Sequence, residues 1–554
     1  MAREADTSVI VIGLDGASPR LVDGWAGTGV LPTLGKLIRE GASGLLRSTL
    51  PPVTAPAWVS FMTGKNPGKH GVFNFRNLNL RHYSGAGPGS EVVSSAAFRG
   101  QSLFEIVSAQ GGRVASINVP VTYPPFPVNG VLIAGLPLLP DMRRAYTYPS
   151  DLAGAIGPWS LDNDTLDHLP DRRRLEAADF WLEKHTSVSV DLLRQERWHL
   201  LATVIRNTDV VPHYFWRYGD PLSTDGREPT ADPYRHAIQD HYRKADEAVR
   251  RLLEAAPDDS LVIVMSDHGM DCFPDSYVHL NAWLASQGLL ARRQADSLSA
   301  PVARRLAGAR ELLPRRYRLL LTRYLPQAAQ ERLLRSLSHI HEVDWIGTRA
   351  YRVPIFPMMD GIEINLTGRQ PEGTVALGDE YEGLRRAIVA AVKDLRHPET
   401  GEDLVQAVHL REEIYSGPSV EQAPDILVLF KEGYTGGPEA RGPLVTACTE
   451  PANHWCATHR LDGLFVAWGS MVRPGSVVQG ASIMDVAPTI LYALGMPVPD
   501  DMDGRVLSEI FAEDFRSRRP LRRGTSTARA THGEGLTRAE QEQIMGQLRG
   551  LGYL

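Results

Sequence analysis

The sequence predicts an α/β fold with a mainly parallel central sheet that is covered by helices on both sides. The first observation is a series of short β-branched runs that end in a polar residue or glycine: SVIVIGLDG (8–16), LLATVIRNTD (200–209), SLVIVMSDHG (260–269), DILVLF (425–430) and LFVAWG (464–469). The second is helical periodicity between some of these runs, as in ADEAVRRLLEAA (245–256) and EGLRRAIVAAVKDL (382–395). Continuous apolar strands that alternate with amphipathic helices are typical of parallel sheets buried on both faces.

The composition is that of a globular protein with a large core. The chain has 554 residues, 43% of them hydrophobic and 22% charged, and a formal net charge of -6. This balance excludes a disordered chain, and no nucleic-acid duplex is expected as a partner. The dispersed cysteines Cys272, Cys448 and Cys456 predict neither a disulfide framework nor a thiolate zinc site, and they fit a reducing compartment. The N-terminal apolar run is too short for a signal peptide and no window approaches the ~18 apolar residues of a membrane span, so we expect a soluble, cytoplasmic protein without a transmembrane segment.

Two inserts and a tail divide the predicted organisation of the chain. Residues 1–515 are expected to form one catalytic unit, with a Gly- and Ser-rich loop at about 76–97. A helical, Arg-rich cap is predicted at about 285–345, and its most basic part (291–340) would face an anionic substrate, a membrane surface or solvent. Residues 516–554 are expected to be a linker followed by a short C-terminal helix.

Acidic residues and histidines stand where the predicted strands end. In open α/β sheets, ligands bind beyond the carboxyl ends of the strands, so these residues are candidate ligands of a shared site. Asp209 and His213 are four residues apart, a spacing that places both on one face of a helix. Each residue alone also has a structural explanation as a turn or cap residue. Together, carboxylates and imidazoles suit zinc or manganese, and the candidates are Asp15, Asp209, His213, Asp267, His268 and His459.

Thr54 stands in the unusual context LPPVTAPAWVSFMTGKNPGKH (50–70). The neighbouring prolines Pro51, Pro52 and Pro56 hold the backbone in a defined non-helical shape, which predicts that Thr54 is presented outside a regular element. One interpretation is that its hydroxyl caps the following helix. The other is that it is a nucleophile, because two bound cations about 3.5–4 Å apart would lower the pKa of its hydroxyl and stabilise a leaving oxygen.

Several segments together resemble the alkaline phosphatase superfamily, and specifically its type I phosphodiesterase/nucleotide pyrophosphatase branch. They occur in the family's order: VIVIGLDGA, PPVTAPAWVSFMTGKNPGKHGVFNF, NTDVVPHYFWRY, VIVMSDHGM, ATHRLDGLFVAWG and MDVAPTILYALGMPVPDDMDGR. The resemblance implies a three-layer α/β/α alkaline-phosphatase-like core with inserted cap segments. It also implies that Asp15, Thr54, Asp267 and His268 hold one Zn2+ (or Mn2+), and that Asp209, His213 and His459 hold the other.

The implied function is hydrolysis of phosphoric diester or nucleotide pyrophosphate bonds through a phosphothreonine intermediate. The substrate would be a small-molecule phosphate ester or nucleotide, and Asn74, at a spacing different from that of the family, would contact a phosphoryl oxygen. Sulfatases of the superfamily carry Cys or Ser with Arg four residues later, whereas this chain has Thr54 and Trp58. No arginine occurs in the segment 50–70 around Thr54 to bind a dianion, although Lys65 and Lys69 do, so a monoanionic diester or pyrophosphate is favoured.

Alternatives remain at this stage. A phosphomonoesterase or phosphomutase-like transferase would use the same core. A metal-binding or membrane-associated scaffold without turnover would use the Arg-rich segment. His454 is a rival to His459 as a ligand, whereas His70 and His279 are interpreted as structural.

Overall fold

The computed structural model of the protein describes residues 7–83, 90–139, 145–157, 159, 166, 169–222, 232–293, 343–448, 455–526, 528 and 535–550. The strands in chain order are β1 Val9–Leu14, β2 Ala42–Arg47, β3 Val114–Val119, β4 Gly130–Ala134, β5 Thr147–Tyr148, β6 Leu200–Ile205, β7 Leu261–Met265, β8 Gly269–Cys272, β9 Ser276–Val278, β10 Ala291–Arg292, β11 Val343–Asp344, β12 Ala350–Phe356, β13 Met359–Ile364, β14 Val405–Leu410, β15 Ile426–Phe430, β16 Tyr434–Gly436, β17 Val445–Ala447, β18 Ala457–Arg460, β19 Asp462–Trp468, β20 Ser476–Ser482, β21 Val498–Pro499 and β22 Arg523–Gly524.

The α-helices are α1 Pro19–Gly27, α2 Pro32–Glu40, α3 Thr54–Thr63, α4 Pro67–His70, α5 Leu103–Ala109, α6 Leu152–Ile156, α7 Asp171–Gln195, α8 Asn207–Phe215, α9 Ala237–Ala255, α10 Leu280–Ser286, α11 Asp379–Lys393, α12 Arg411–Ile414, α13 Val486–Ala493, α14 Glu513–Arg518 and α15 Arg538–Gly550. Single 3-10 turns lie at Ser95–Phe98, Trp216–Tyr218, Val420–Gln422, Ile483–Asp485 and Ser508–Ile510.

A nine-stranded central sheet has the order β20-β2-β19-β7-β1-β6-β3-β4-β5. Strands β7, β1, β6, β3 and β4 pair in parallel, and β20 and β2 run the same way beyond β19. Only β19 and β5 run against the others within this sheet. The central strands β1, β6 and β7 are buried at every position, as expected for a sheet covered on both faces. The predicted mainly parallel α/β fold is confirmed.

Two groups of helices complete a three-layer α/β/α core. One group joins α2, α7, α8 and α9, and the other joins α3, α5 and α13. Strand β3 contacts α7 of the first group and α5 of the second. The C-terminal helix α15 also packs on this core, because its side chains Ile544 and Leu548 are buried there.

A second, four-stranded sheet forms a separate unit that we call the cap (residues 350–430). Its order is β12-β13-β15-β14, all neighbouring strands are antiparallel, and α11 packs on β14 and β15. The predictions that DILVLF belongs to the parallel sheet and that the periodic stretch 382–395 covers that sheet are therefore both wrong. LFVAWG does lie in the central sheet, as β19, but runs antiparallel to its neighbours.

Other sequence predictions fall partly or wholly outside the described residues. Most of the Arg-rich segment, residues 294–342, lies outside the described residues. Of the predicted Gly- and Ser-rich loop, residues 76–83 and 90–97 are described. The predicted linker begins within α14, and β22, which lies in that segment, pairs with β21. None of the described helices has the length and apolar character that crossing a bilayer requires.

Candidate active site

The three adjacent parallel strands β7, β1 and β6 place buried polar residues at one edge of the central sheet. Asp15 follows β1 directly, and Asp267 and His268 follow β7. Asp209 lies in the first turn of α8, the helix that follows β6, rather than at the strand end itself. All four side chains are at most 1% exposed. The topology therefore brings together residues that are up to about 250 positions apart in sequence.

Asp15, Asp267 and His268 form the first cluster. Nε2 of His268 lies 3.3 Å from Oδ2 of Asp267 and 3.7 Å from Oδ1 of Asp15. Their potential ligand atoms all lie within 4.8 Å of one another. Such a compact set of three ligand atoms has the size of a metal site.

Asp209, His213 and His459 form the second cluster. Nε2 of His213 lies 3.2 Å from Oδ1 of Asp209, as their spacing on one helix predicts, and Nε2 of His459 lies 3.4 Å from the same oxygen. His459 comes from β18, which pairs with β8 directly after the first cluster. The rings of His459 and His268 stack with centroids 3.6 Å apart, so the two clusters are in contact.

The three imidazoles share one orientation. In each ring, Nδ1 lies 2.8–3.0 Å from a backbone carbonyl oxygen, with the pairs His213 to Ala457, His268 to Gly269 and His459 to Pro52. A carbonyl oxygen only accepts hydrogen bonds, so each Nδ1 carries a proton, and in a neutral ring Nε2 then has a lone pair for a cation in the clusters. Metal-binding histidines are commonly fixed in this way through their second nitrogen.

Burial sets the protonation of these groups. It lowers the pKa of His459 to about 3, with a smaller effect from His268, and it also lowers the pKa of His268. Both rings are therefore neutral at pH 7, the form that binds metal. Burial raises the pKa of Asp267 to about 7, and burial with the charges of Asp267 and Asp209 raises that of Asp15 well above its ordinary value. A cation between these carboxylates would offset the cost of ionising them.

The clusters fit divalent cations on structural grounds. Within the described chain, both carboxylate oxygens of Asp15 and Oδ2 of Asp267 are buried without a hydrogen-bond partner. In addition, Nε2 of His213 and Nε2 of His459 lie 3.2 Å apart beside Oδ1 of Asp209, so that three potential ligand atoms converge. Buried polar atoms are rarely left in this way, and a shared cation would satisfy them.

Thr54 is the first residue of α3, and its side chain is completely buried. The prediction that it is presented outside a regular element is therefore wrong, because strand β18 covers the segment through the hydrogen bond of His459 to Pro52. The capping interpretation is also wrong, since Val53 occupies the N-cap position. Oγ1 of Thr54 instead lies 3.3 Å from Nε2 of His268. The start of a helix has a partial positive charge, which favours an anion beside Thr54.

Other residues singled out by sequence lie elsewhere. The amide nitrogen of Asn74 lies 3.4 Å from the carbonyl oxygen of Ile355 and its oxygen accepts from the backbone of Phe75, so its phosphoryl contact stays a prediction. Lys65 pairs with Asp501 and Lys69 pairs with Asp503.

The remaining sequence candidates are structural or untested. His70 bonds Ser60 and the backbone of Val72, and His279 bonds Thr446, which agrees with structural roles. The rival ligand His454 lies outside the described residues.

Three residues near the clusters were missed by sequence reasoning. The buried Arg206 places Nε 3.7 Å from Oδ2 of Asp15, and it follows β6 directly, a strand-end signal that could have identified it. Trp455 stacks on His213 with centroids 3.7 Å apart, and the ring of Phe356 lies 4.7 Å from that of His459. No sequence signal marks these two rings, because their contacts depend on the tertiary fold.

Comparisons with known proteins identify the family and the fold of this chain. The family model described as type I phosphodiesterase / nucleotide pyrophosphatase matches residues 9–455. Phosphonoacetate hydrolase from Sinorhizobium meliloti 1021 in complex with phosphonoformate has a similar fold, with a TM-score of 0.52 and 15% identity over 88% of this chain and 95% of that chain. Human ectonucleotide pyrophosphatase / phosphodiesterase 5 aligns with a TM-score of 0.45 and 12% identity over 91% and 99% of the respective chains.

One curated relative matches over a short segment. It is a 2,3-bisphosphoglycerate-independent phosphoglycerate mutase from Laribacter hongkongensis (strain HLHK9), 45% identical over 38 residues, which are 7% of this chain and 8% of that protein. The family match, in contrast, extends over most of the sequence. The chain belongs to the type I phosphodiesterase / nucleotide pyrophosphatase family, a family of phosphoester hydrolases within the alkaline phosphatase superfamily.

Proposed function

We propose that the protein is a two-metal hydrolase of phosphoric diester or nucleotide pyrophosphate bonds and that Thr54 is its nucleophile. The observation that carries the proposal is the position of Thr54 Oγ1, 3.3 Å from Nε2 of His268 and at the start of α3. A hydroxyl beside two compact ligand clusters is the arrangement expected for covalent phosphoryl transfer.

The ligand atoms divide between two cations. Asp15, Asp267 and His268, together with the hydroxyl of Thr54, would hold one, and Asp209, His213 and His459 would hold the other. Mixed carboxylate and imidazole ligands favour Zn2+, with Mn2+ as the alternative. When bound, the cations would lower the pKa of the Thr54 hydroxyl and neutralise negative charge on the leaving oxygen.

The reaction would proceed by two displacements at phosphorus. In the first, Oγ1 of Thr54 gives up its proton and bonds to phosphorus, the bond from phosphorus to the leaving oxygen breaks, and solvent returns a proton to that oxygen. In the second, water displaces Oγ1, which takes back a proton and restores Thr54. The helix start at Thr54 supports the negative charge of the transferring group in both steps.

The charges near Thr54 favour a monoanionic substrate. Lys65 and Lys69, the lysines closest to Thr54 in sequence, are ion-paired with Asp501 and Asp503 and are not directed to a dianionic phosphoryl group. A diester or pyrophosphate linkage carries less charge at the reacting phosphorus than a monoester does. The short match to a phosphoglycerate mutase favours a second candidate, a monoesterase or phosphomutase-like transferase on the same core.

The experiment compares hydrolysis of bis(p-nitrophenyl) phosphate and p-nitrophenyl phosphate by metal-loaded, chelated and zinc-restored protein. We expect preference for the diester, loss of turnover on chelation and its return with zinc. Thr54→Ala should lower kcat by at least about 10³-fold while most of the metal stays bound. Thr63→Ala is the matched control, because Thr63 is equally buried at the other end of α3 and its hydroxyl bonds backbone groups, donating to the carbonyl of Val59 and accepting from the N–H of Lys65.

Three results would contradict or redirect the proposal. Full activity of Thr54→Ala excludes Thr54 as the nucleophile. Activity that survives complete chelation excludes a metal-dependent reaction. Preference for the monoester selects the second candidate function.

A further inference from the structure

A cavity of about 340 Å³ lies between the cap and the chain that leads to Thr54. Its wall includes Phe73 and Leu78 on the core side and Ile355, Tyr415 and Leu427 on the cap side. The hydroxyl of Tyr415 donates to the carbonyl of Leu50, so this side of the cap is tied to the segment that precedes Thr54. Its volume is within the range of small-molecule sites, about 300–1,000 Å³.

The cavity is next to the candidate active site at two independent points. Pro51 lines it, and three residues of chain reach at most about 11 Å from Pro51 to Thr54. Ile355 also lines it, and the next residue, Phe356, places its ring 4.7 Å from that of the metal-ligand candidate His459. The cavity therefore lies within reach of a group on a substrate whose phosphorus reacts at Thr54.

The lining indicates the chemistry of that group. Most of the lining side chains are apolar or aromatic, and Asn74, Arg76 and Gln422 are the polar residues among them. Arg76 is the one charged residue in the described lining, with Nε fixed to the carbonyl of Ser90. A cavity with a guanidinium and without a lining carboxylate disfavours a cationic group such as choline.

We propose that this cavity binds one ester group of the substrate and selects a neutral, apolar group of aromatic size. The inference rests on the proposed function, since it names the substrate class of the same site. Burial of an aromatic ring in place of a methyl group should improve binding by about tenfold or more.

The test uses two monoanionic phosphonates that differ only in the ester group, phenyl methylphosphonate and methyl methylphosphonate. Each phosphonate has a single ester group, so its binding does not depend on which alcohol of a diester would leave. Isothermal titration calorimetry on the zinc-loaded protein measures the Kd of each phosphonate without turnover. We expect the phenyl ester to bind at least about tenfold more tightly than the methyl ester, and the choline ester no more tightly than the methyl ester.

A pair of exposed neighbours supplies the variants. Gln422 lines the cavity, whereas Glu421 is exposed on the same 3-10 turn and is not part of the lining. Gln422→Trp should fill the cavity mouth and reduce the phenyl preference to less than about threefold. Glu421→Trp adds the same side chain one residue away and should keep the full preference.

Each outcome has one meaning. Equal binding of the phenyl and methyl esters, or a preference that Gln422→Trp leaves intact, overturns the inference even if diesters are hydrolysed. Tighter binding of the choline ester also overturns it. A phenyl preference that only Gln422→Trp removes supports it, even if the hydrolysis assay overturns the proposed function.

Discussion

Substitution of Gly16 by alanine should disturb the candidate active site without removing any ligand. Gly16 has φ +66 in the turn after β1, and its backbone N–H donates to Oδ1 of Asp267 at 3.1 Å. A Cβ atom at this position would lie 2.9 Å from Cβ and 3.0 Å from Oδ1 of Asp209. Because unstrained carbon atoms are about 3.5–4.0 Å apart, the turn and Asp209 would separate by roughly 0.6–1.1 Å.

The expected magnitude has two parts. The left-handed backbone costs about 1–2 kcal/mol in the free energy of unfolding, and a displacement near 1 Å at a reacting centre can lower kcat/KM by about 10²-fold. Gly29→Ala is the matched control, because Gly29 has φ +78 but no described atom within 4 Å of an added Cβ. We expect both variants to lose stability in urea unfolding and only Gly16→Ala to lose kcat/KM with bis(p-nitrophenyl) phosphate. Wild-type activity of Gly16→Ala, or an equal loss in Gly29→Ala, would refute the reasoning.

Three further predictions concern stability and the link between cap and core. In chelated protein, Asp267→Asn should raise the free energy of unfolding at pH 8 by up to about 4 kcal/mol, because burial raises the pKa of Asp267 to about 7 beside Asp15. The gain should vanish near pH 4, where folded Asp267 is protonated and unfolded Asp267 is half protonated. An unchanged stability at pH 8 would argue against this cost of ionising Asp267. Burial lowers the pKa of His70 to about 3, so the free energy of unfolding falls as pH falls from about 6.5 towards 3. His70→Gln should reduce the loss between pH 7 and pH 5 by about 2 kcal/mol. Parallel stability–pH profiles of the variant and the wild type would contradict a buried, neutral His70. Tyr415→Phe removes the 2.5 Å hydrogen bond to the carbonyl of Leu50, so it should lower the free energy of unfolding in urea by about 1 kcal/mol and lower kcat/KM several-fold. A variant with the stability and kcat/KM of the wild type would show that this bond does not order the segment before Thr54.

The candidate ligands could be predicted because their sequence signal is local. Asp15 directly follows one apolar strand, Asp267 and His268 come two and three residues after another, and parallel neighbours place their carboxyl ends at one edge. Asp209 and His213 are related by helical spacing alone. The strand order β7-β1-β6 then makes these local signals converge.

The misassigned elements have physical causes as well. Strand β15 lies inside the cap sheet, where it contacts α11 and contributes to a small apolar cluster with Leu50 of the core. It is therefore buried at every position, and its continuous apolar sequence has the pattern of a strand in a parallel sheet. The burial of Thr54 depends on β18, about 400 residues later, which proline geometry near Thr54 cannot indicate. The cavity beneath the cap likewise arises from segments far apart in sequence.

The most direct test of the central claim is to trap the group on Thr54. Zinc-loaded protein is mixed with bis(p-nitrophenyl) phosphate and quenched in acid, and its peptides are sequenced by mass spectrometry. We expect a phosphoryl or phosphodiester adduct on Thr54 that forms within the first turnover and is absent from Thr54→Ala. Product formation without any adduct on Thr54, together with turnover by Thr54→Ala, would show that water attacks phosphorus directly and that Thr54 is not the nucleophile.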